Sequence, residues 1–222
     1  MIEILELGNN QIEDTFPSWL GAIPELQVLV LRSNKFHGPI GNHKADAMFP
    51  KLRILDLSAN GFSGNLPSEY LERLSYMGTI PKQVKAHKGF YEKIQSAFVA
   101  PDLSNNKFSG EIPESLGHLG GLQLLNISKN NLDGVIPSSL ASLTELESLD
   151  LSRNMLSGKI PQQLTQLTFL AALNFSQNHL TGPIPQGKQF DTFENGSCDG
   201  NPQLCGVPLT TPCENSEASL NY

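Results

Sequence analysis

The fold is decided by a stretch that begins LSNNKFSGEIPESLGHLGGL (residues 103–122) and continues with ISKNNLDGVIPSSLASLTEL (127–146), LSRNMLSGKIPQQLTQLTFL (151–170) and FSQNHLTGPIPQG (175–187). One asparagine recurs every 24 residues and opens roughly the same phrase, N-x-L-x-G-x-I-P, in each unit: Asn106, Asn130, Asn154 and Asn178. A fixed period of this length predicts a stack of similar structural units rather than an ordinary globular core.

A period of 24 residues with L-x-L-x-x-N inside it is typical of leucine-rich repeats. In such a short strand, Leu149 and Leu151 point into the core, whereas Asp150 between them faces solvent on the concave surface. One unit cannot bury its apolar side alone, so neighbouring units must stack. The predicted fold class is an α/β repeat: a right-handed leucine-rich-repeat solenoid with short parallel strands on its concave face.

Three further units precede this stretch, and their template asparagines are Asn10, Asn34 and Asn60. We therefore expect three repeats in residues 1–67, which begin without an N-terminal cap, and four repeats in residues 98–186. The repeated asparagines are predicted to turn inward and to bond backbone groups as a ladder along the stack.

The sequence between the two sets of repeats departs from the repeat pattern. Residues 68–97 lack L-x-L-x-x-N, so we interpret them as an insertion that leaves the stack, partly helical near residues 91–98. Pro101 occupies a strand position just after the insertion. Because proline has no N–H to donate, the repeat that resumes the array should pair poorly.

The array ends in residues 187–213, and all three cysteines fall there: Cys198, Cys205 and Cys213. Cysteines clustered at the end of a solenoid predict a disulfide-stapled cap, which forms in an oxidising compartment. An odd number leaves one cysteine over. Residues 214–222 are predicted to be a polar tail.

The composition excludes several classes of function. A net charge of −7 argues against a nucleic-acid partner and against binding to an anionic membrane surface. No apolar run approaches the roughly 18–20 residues of a spanning helix, and MIEILELGNN at the start has acidic residues where a signal peptide has basic ones. The histidines lack paired ligands or nucleophiles, and the glycines follow the repeat, so we predict no enzyme activity, cofactor or metal site.

The order of parts resembles that of plant receptor-like proteins, which are cell-surface leucine-rich-repeat receptors without a kinase domain. The resemblance is carried by the 24-residue unit with its G-x-I-P phrase, by the insertion text KGFYEKIQSAF (residues 88–98), and by PIPQGKQFDTFENGS (183–197) and GNPQLCGVPL (200–209) after four final repeats. It implies plant-specific repeats on the extracellular side of the plasma membrane. It also implies recognition of protein or peptide ligands, and association with adapter and co-receptor kinases, in plant defence or development. Membrane attachment would require a family-type anchor, which this chain does not show.

The resemblance further implies a pairing for the cap and a place for a partner. Cys198 stands where relatives tend to have an aromatic residue, so the expected disulfide joins Cys205 to Cys213. The family uses its membrane-proximal repeats to contact co-receptor kinases, which points to a partner surface on the concave face of the last repeats. Its expected residues are Lys129, Glu147, Asp150 and Arg153.

Three sequons predict N-glycosylation if the chain enters the secretory pathway, at Asn126, Asn174 and Asn195. The N-x-S spelling of the repeat also generates such motifs by chance. Glycans on Asn126 and Asn174 would obstruct the concave face and favour ligand contact elsewhere. The insertion offers aromatic and basic residues for that purpose, although a solvated linker is the interpretation we favour: Tyr70, Tyr76, Lys82, Lys85, Lys88 and Tyr91.

Two other interpretations of the chain stay open. One is a secreted protein similar to the inhibitors of fungal polygalacturonases, which share the repeat but lack an insertion of this kind. The other is a truncated remnant without function, which the missing N-terminal cap and signal peptide favour.

Overall fold

A computed structural model of the protein describes residues 2–41, 49–76 and 99–213. Within these ranges the chain forms short strands in three parallel sheets, with short helices between them. The strands, in chain order, are β1 (Ile4–Glu6), β2 (Val28–Val30), β3 (His37–Pro39), β4 (Ile54–Asp56), β5 (Gly61–Gly64), β6 (Ala100–Asp102), β7 (Lys107–Glu111), β8 (Leu124–Asn126), β9 (Asn131–Asp133), β10 (Ser148–Asp150), β11 (Ser157–Gly158), β12 (Ala172–Asn174), β13 (His179–Pro183) and β14 (Gln203–Cys205).

The largest sheet takes one strand from each repeat, in the order β1-β2-β4-β6-β8-β10-β12. Its register aligns the middle of L-x-L in successive repeats, so that Leu125 pairs with Leu149 and Leu149 pairs with Leu173. All three leucines are buried. The smaller sheets, β3-β5-β7-β9 and β11-β13-β14, take their strands from successive repeats and, for β14, from the cap. The predicted class, a leucine-rich-repeat stack with short parallel strands, is confirmed.

Helices in the described residues are short. There is one α-helix, α1 (Ser68–Tyr76), and the 3-10 helices are Ser18–Ala22, Glu114–His118, Ser138–Ser142, Gln162–Gln166, Lys188–Thr192 and Asn195–Ser197. Pro113, Pro137 and Pro161 directly precede three of them, with φ between −62° and −69°. Because proline fixes φ and cannot donate a backbone hydrogen bond, it suits the start of a single helical turn.

The repeated asparagines form the predicted ladder. The Oδ1 of Asn154 accepts a hydrogen bond from the Leu132 N–H at 3.1 Å, and its Nδ2 donates to the carbonyls of Ile127 and Leu151 at 3.1 Å each. Equivalent bonds connect the other units, so these buried or half-buried amides are satisfied by backbone of their own and the preceding repeat. Asn201 in the cap adds a further rung that the sequence reading missed, because its amide bonds Leu180.

The insertion begins later than the predicted residue 68. Residues 68–76 are α1, which packs against the 3-10 helix Glu114–His118 of the next repeat. Leu71 is fully buried, and the ring of Tyr70 lies 5.4 Å from that of Phe16. Burial of these apolar side chains keeps the segment on the stack. The remainder of the predicted insertion, residues 77–97, and the helix predicted near residues 91–98 lie outside the described residues.

Strand β6, which resumes the array, pairs well on one side and poorly on the other. All three of its residues align with β4, but only Asp102 aligns with a residue of β8, Asn126. The Leu103 N–H donates to the Asn126 carbonyl at 2.9 Å. Pro101 lies two residues earlier, on the same edge of the strand, and has no N–H for β8. The prediction of poor pairing therefore holds toward β8 and is wrong toward β4.

The cap continues the stack and is closed by a disulfide between Cys205 and Cys213. Strand β14 pairs with β13, the second of the two strands in the last repeat. Cys198 is free and buried, and burial raises the pKa of its thiol to about 11. It lies three residues before the cap rung Asn201, as Phe175 lies three residues before Asn178. The unpaired cysteine is therefore a core residue of the cap.

Candidate functional site

Five polar side chains form a column along the concave face, each at the last residue of its strand: Asp56, Asp102, Asn126, Asp150 and Asn174. They are neighbours in the register of the parallel strands. The Oδ1 of each accepts a hydrogen bond from the backbone N–H two residues later, at 2.9 to 3.2 Å. We call this set the concave column. Its side chains are held before any partner arrives, which lowers the entropy cost of binding.

Negative charge in the concave column is concentrated at Asp56 and Asp102. Burial raises the pKa of Asp56, hydrogen bonds from Ser58 oppose that rise, the Asp102 charge adds to it and Arg32 lowers it. Asp102 accepts a hydrogen bond from the amide of Asn126 at 3.2 Å. Farther along, amides alternate with carboxylates, so like charges are no longer direct neighbours.

The four predicted partner residues lie on two neighbouring repeats. Lys129, Glu147 and Arg153 are exposed, and Asp150 is half-buried in the concave column. Lys129 and Arg153 hold the same position in successive repeats, with φ of 52° and 54°. The Lys129 N–H donates to the carbonyl of Ser152 at 2.9 Å, which ties one position to the next repeat. We call these four residues the charged patch; it presents both signs of charge on a rigid backbone.

The three sequons differ in their surroundings. Asn126 and Asn174 are half-buried, and each accepts a hydrogen bond from the hydroxyl of its own sequon serine at 2.8 and 2.7 Å. Asn195 is exposed at the start of the 3-10 helix Asn195–Ser197. Of the three, Asn195 offers the least hindered amide for a glycan.

Tyr70 belongs neither to the solvated linker that was the favoured interpretation of the insertion nor to the alternative recognition patch. It is buried between Phe16 and Phe49, with ring distances of 5.4 and 6.2 Å. Its place on α1 turns its ring toward the core. The other residues of that set lie outside the part of the chain whose side chains the structure describes: Tyr76, Lys82, Lys85, Lys88 and Tyr91.

Exposed apolar side chains near the end of the array were not anticipated from the sequence. Val135, Met155 and Phe169 are 58%, 45% and 61% exposed. Each stands at a variable position of its repeat, where a large apolar residue replaces the usual polar one. That replacement is the signal which could have identified them, because exposed aromatic and Met side chains are typical of binding surfaces.

Metal chemistry and membrane insertion receive no support from the described part of the chain. Across residues 2–41, 49–76 and 99–213, no group of three or more His, Cys, Asp or Glu is arranged to hold a metal ion. Within the same ranges, no helix combines the length and apolar character needed to span a bilayer.

Sequence comparisons identify the repeat and similar proteins. Residues 121–180 match the profile described as Leucine rich repeat, and residues 1–23, 51–72 and 102–119 match a second profile of the same description. Similar proteins include receptor-like proteins 34 and 43 of Arabidopsis thaliana. They are 44% and 45% identical over 57% and 53% of this chain. The matched region spans only 15% and 19% of those two proteins.

Solved structures with the same fold include ectodomains of plant receptors. The plant peptide hormone receptor RGFR1 in complex with RGF2 has a TM-score of 0.68 and 29% identity, covering 83% of this chain and 26% of that one. Arabidopsis HAESA, in complex with the peptide hormone IDA and the co-receptor SERK1, has a TM-score of 0.67 and 30% identity, covering 94% and 35%. The BIR2 ectodomain from Arabidopsis thaliana has a TM-score of 0.56 and 30% identity, covering 78% and 77%.

Proposed function

Because the chain belongs to the leucine-rich-repeat proteins and is similar in sequence to plant receptor-like proteins, we propose that it is part of a non-enzymatic receptor ectodomain. In this proposal it stands on the extracellular side of the plasma membrane. It recognises a protein or peptide ligand and associates with adapter and co-receptor kinases in plant defence or development. The matched part of the chain covers less than a fifth of the length of these two relatives, so the partners of a whole receptor are part of the proposal.

The observation that carries the proposal is the charged patch beside the concave column. Exposed Lys129 and Arg153 recur at one position of successive repeats, and Glu147 is exposed at the opposite end of strand β10 from Arg153. The backbone under them is fixed by bonds between repeats, including the one from Arg153 N–H to the Ser176 carbonyl at 2.9 Å. Charged groups held by a rigid scaffold are suited to selecting a partner by complementary charge.

Two further observations support an extracellular receptor. The Cys205–Cys213 disulfide of the cap is of a kind that persists in oxidising compartments. HAESA, whose ectodomain shares the fold over most of this chain, is in complex with a peptide hormone and the co-receptor SERK1. By analogy, the last repeats of this chain would contact a co-receptor of that kind, while ligand contact extends to repeats of the longer receptor.

The proposal can be tested by measuring binding of the secreted, purified chain to the SERK1 ectodomain. Replacing both Lys129 and Arg153 by alanine should weaken binding about 5- to 30-fold, which corresponds to about 1–2 kcal/mol for two contact residues of moderate weight. The matched control replaces Lys35 and Lys107, which are exposed cations outside the charged patch. It removes the same amount of charge.

The control variant should bind as the unmodified chain does. Equal weakening by both variants would show that only overall charge matters and would refute the charged patch as a contact surface. Absence of binding by the unmodified chain, tested with and without a peptide-containing plant extract, would overturn the proposed co-receptor partner.

A further inference from the structure

The sequence Asn195-Gly196-Ser197 places a side-chain amide, a backbone nitrogen without a neighbouring Cβ and a hydroxyl group together in the cap. Asn195 and Gly196 are exposed, and they open the 3-10 helix Asn195–Ser197. Among the described residues, neither the Asn195 side chain nor the Gly196 N–H takes part in a hydrogen bond. A Cβ placed on Gly196 would meet no atom within 4 Å. The Asn195 amide and the backbone nitrogen that follows it therefore lie in exposed residues and are not engaged in hydrogen bonds.

An asparagine followed by glycine can react with its own backbone. The Gly196 nitrogen, after losing its proton, attacks Cγ of Asn195; the new N–C bond closes a five-membered succinimide. The bond from Cγ to the side-chain nitrogen breaks, and that nitrogen leaves as ammonia. Water then opens the ring at either carbonyl and yields aspartate or isoaspartate, with no change of oxidation state. Glycine favours the reaction because no Cβ hinders the attacking nitrogen.

The chain contains an internal control, Asn60-Gly61, which is held against this reaction. Asn60 Nδ2 donates to three carbonyls, including those of Leu31 and Leu57 at 3.0 and 3.1 Å, and its Oδ1 accepts from Phe36 N–H at 3.1 Å. The attacking nitrogen is also engaged, since the Gly61 N–H donates to the Phe36 carbonyl at 2.7 Å. The same dipeptide is thus locked at one place and free at the other.

Isoaspartate at position 195 would disturb the joint between the cap and the last repeat. It adds a methylene to the main chain where Cys198 N–H donates to the Asn195 carbonyl at 3.0 Å. The carbonyl of Ser197, the residue before Cys198, accepts a hydrogen bond from the Phe175 N–H at 2.7 Å. The second bond joins the cap to Phe175, the residue that follows strand β12, and the first holds the turn that presents the Ser197 carbonyl. A longer main chain at this turn would therefore loosen the end of the stack.

We propose that Asn195 is a modification site with two mutually exclusive fates. In molecules that pass through the secretory pathway, its amide nitrogen receives an N-linked glycan, because the same three residues form a sequon. Where the amide stays bare, Asn195 deamidates through Gly196. The glycan holds the nitrogen that would otherwise leave, so it protects the cap from isoaspartate. The glycan branch rests on the proposed extracellular function, whereas the deamidation branch does not.

The test compares the unmodified chain with S197A, G196A and S197A/G196A, all secreted from plant cells. S197A removes the sequon and keeps Asn195-Gly196; the Ser197 bond described above uses its backbone, so the cap should fold. G196A keeps the sequon and has room for the added methyl group. Proteins are aged at mildly alkaline pH, trimmed with a glycosidase that leaves one sugar on asparagine, and digested. Mass spectrometry then quantifies aspartate and isoaspartate at positions 195 and 60.

In S197A, position 195 should deamidate many-fold faster than position 60, and S197A/G196A should slow that reaction several-fold. The unmodified chain and G196A should carry sugar and keep their amide. Slow deamidation of S197A at position 195, or equal rates at positions 195 and 60, would overturn the deamidation branch. A secreted unmodified chain without sugar at Asn195 would overturn the protective role of the glycan. SERK1 binding plays no part in these readouts, so failure here is distinguishable from failure of the receptor proposal.

Discussion

Replacing Asn154 by alanine should destabilise the stack far more than its small change in volume implies. The side chain is 8% exposed, and its amide serves one buried N–H and three carbonyls from two repeats. Alanine leaves Leu132 N–H and the carbonyls of Ile127 and Leu151 without that partner. Each unsatisfied buried group costs about 1–3 kcal/mol, and the carbonyls can recover part of the loss, so we expect about 3–5 kcal/mol in total.

The matched control is Asn10→Ala. Asn10 holds the same position in the first repeat, but it is exposed and its amide donates only to carbonyls of its own turn, at 3.0 Å each. Water can replace those bonds, so the loss should stay below about 1 kcal/mol. Urea denaturation followed by circular dichroism would measure both variants. Similar denaturation midpoints for the two variants would refute the claim that the ladder joins repeats through buried amides.

Three further perturbations follow from individual contacts. Replacing Cys205 by serine opens the disulfide, which closes a short loop with a sequence separation of 8; loop-closure entropy predicts a loss of about 2–3 kcal/mol. Hydrogen exchange should show that loss in the cap before the central repeats. Gly117→Ala would drive a Cβ into the backbone of Ser139, whereas a Cβ on Gly120 meets nothing within 4 Å; only the former should lower the melting temperature, by overpacking worth about 1–3 kcal/mol. Because burial raises the pKa of Asp56, the folded chain holds this proton more tightly than the unfolded chain, and stability falls as pH rises through that range. Asp56→Asn should therefore be more stable than the unmodified chain at neutral pH and lose the advantage in acid; an equal advantage at both pH values would contradict this.

Inward-facing residues of the repeats could be predicted because one physical requirement fixes each of them. Leu149 and Leu151 must be apolar to fill the core, and Asn154 must both donate and accept to satisfy backbone at the bend. These requirements recur with every unit, so they appear in the sequence as a period. Asn201 was not predicted to join the asparagine ladder, because Cys198 stands three residues before it where the repeats have an aliphatic or aromatic residue.

The start of the insertion could not be predicted because the helical side of a repeat obeys looser rules than the strand. α1 keeps residues 68–76 on the stack by burying Tyr70 and Leu71, without any L-x-L-x-x-N in its sequence. A search for the strand motif alone therefore assigns such a helix to the insertion. A search for buried apolar positions between the proline and the next strand would have retained it.

Partner specificity is the property least readable from the repeat. Lys129 and Arg153 occupy a position where neighbouring repeats have serine, alanine, asparagine or glutamine, and the backbone there is the same in each, with φ near +50°. The fold therefore places no demand on the side chain beyond tolerance of that backbone. Two successive cations at a position with no structural use for charge are better explained by something outside the chain, which is why the test of partner binding is aimed at them.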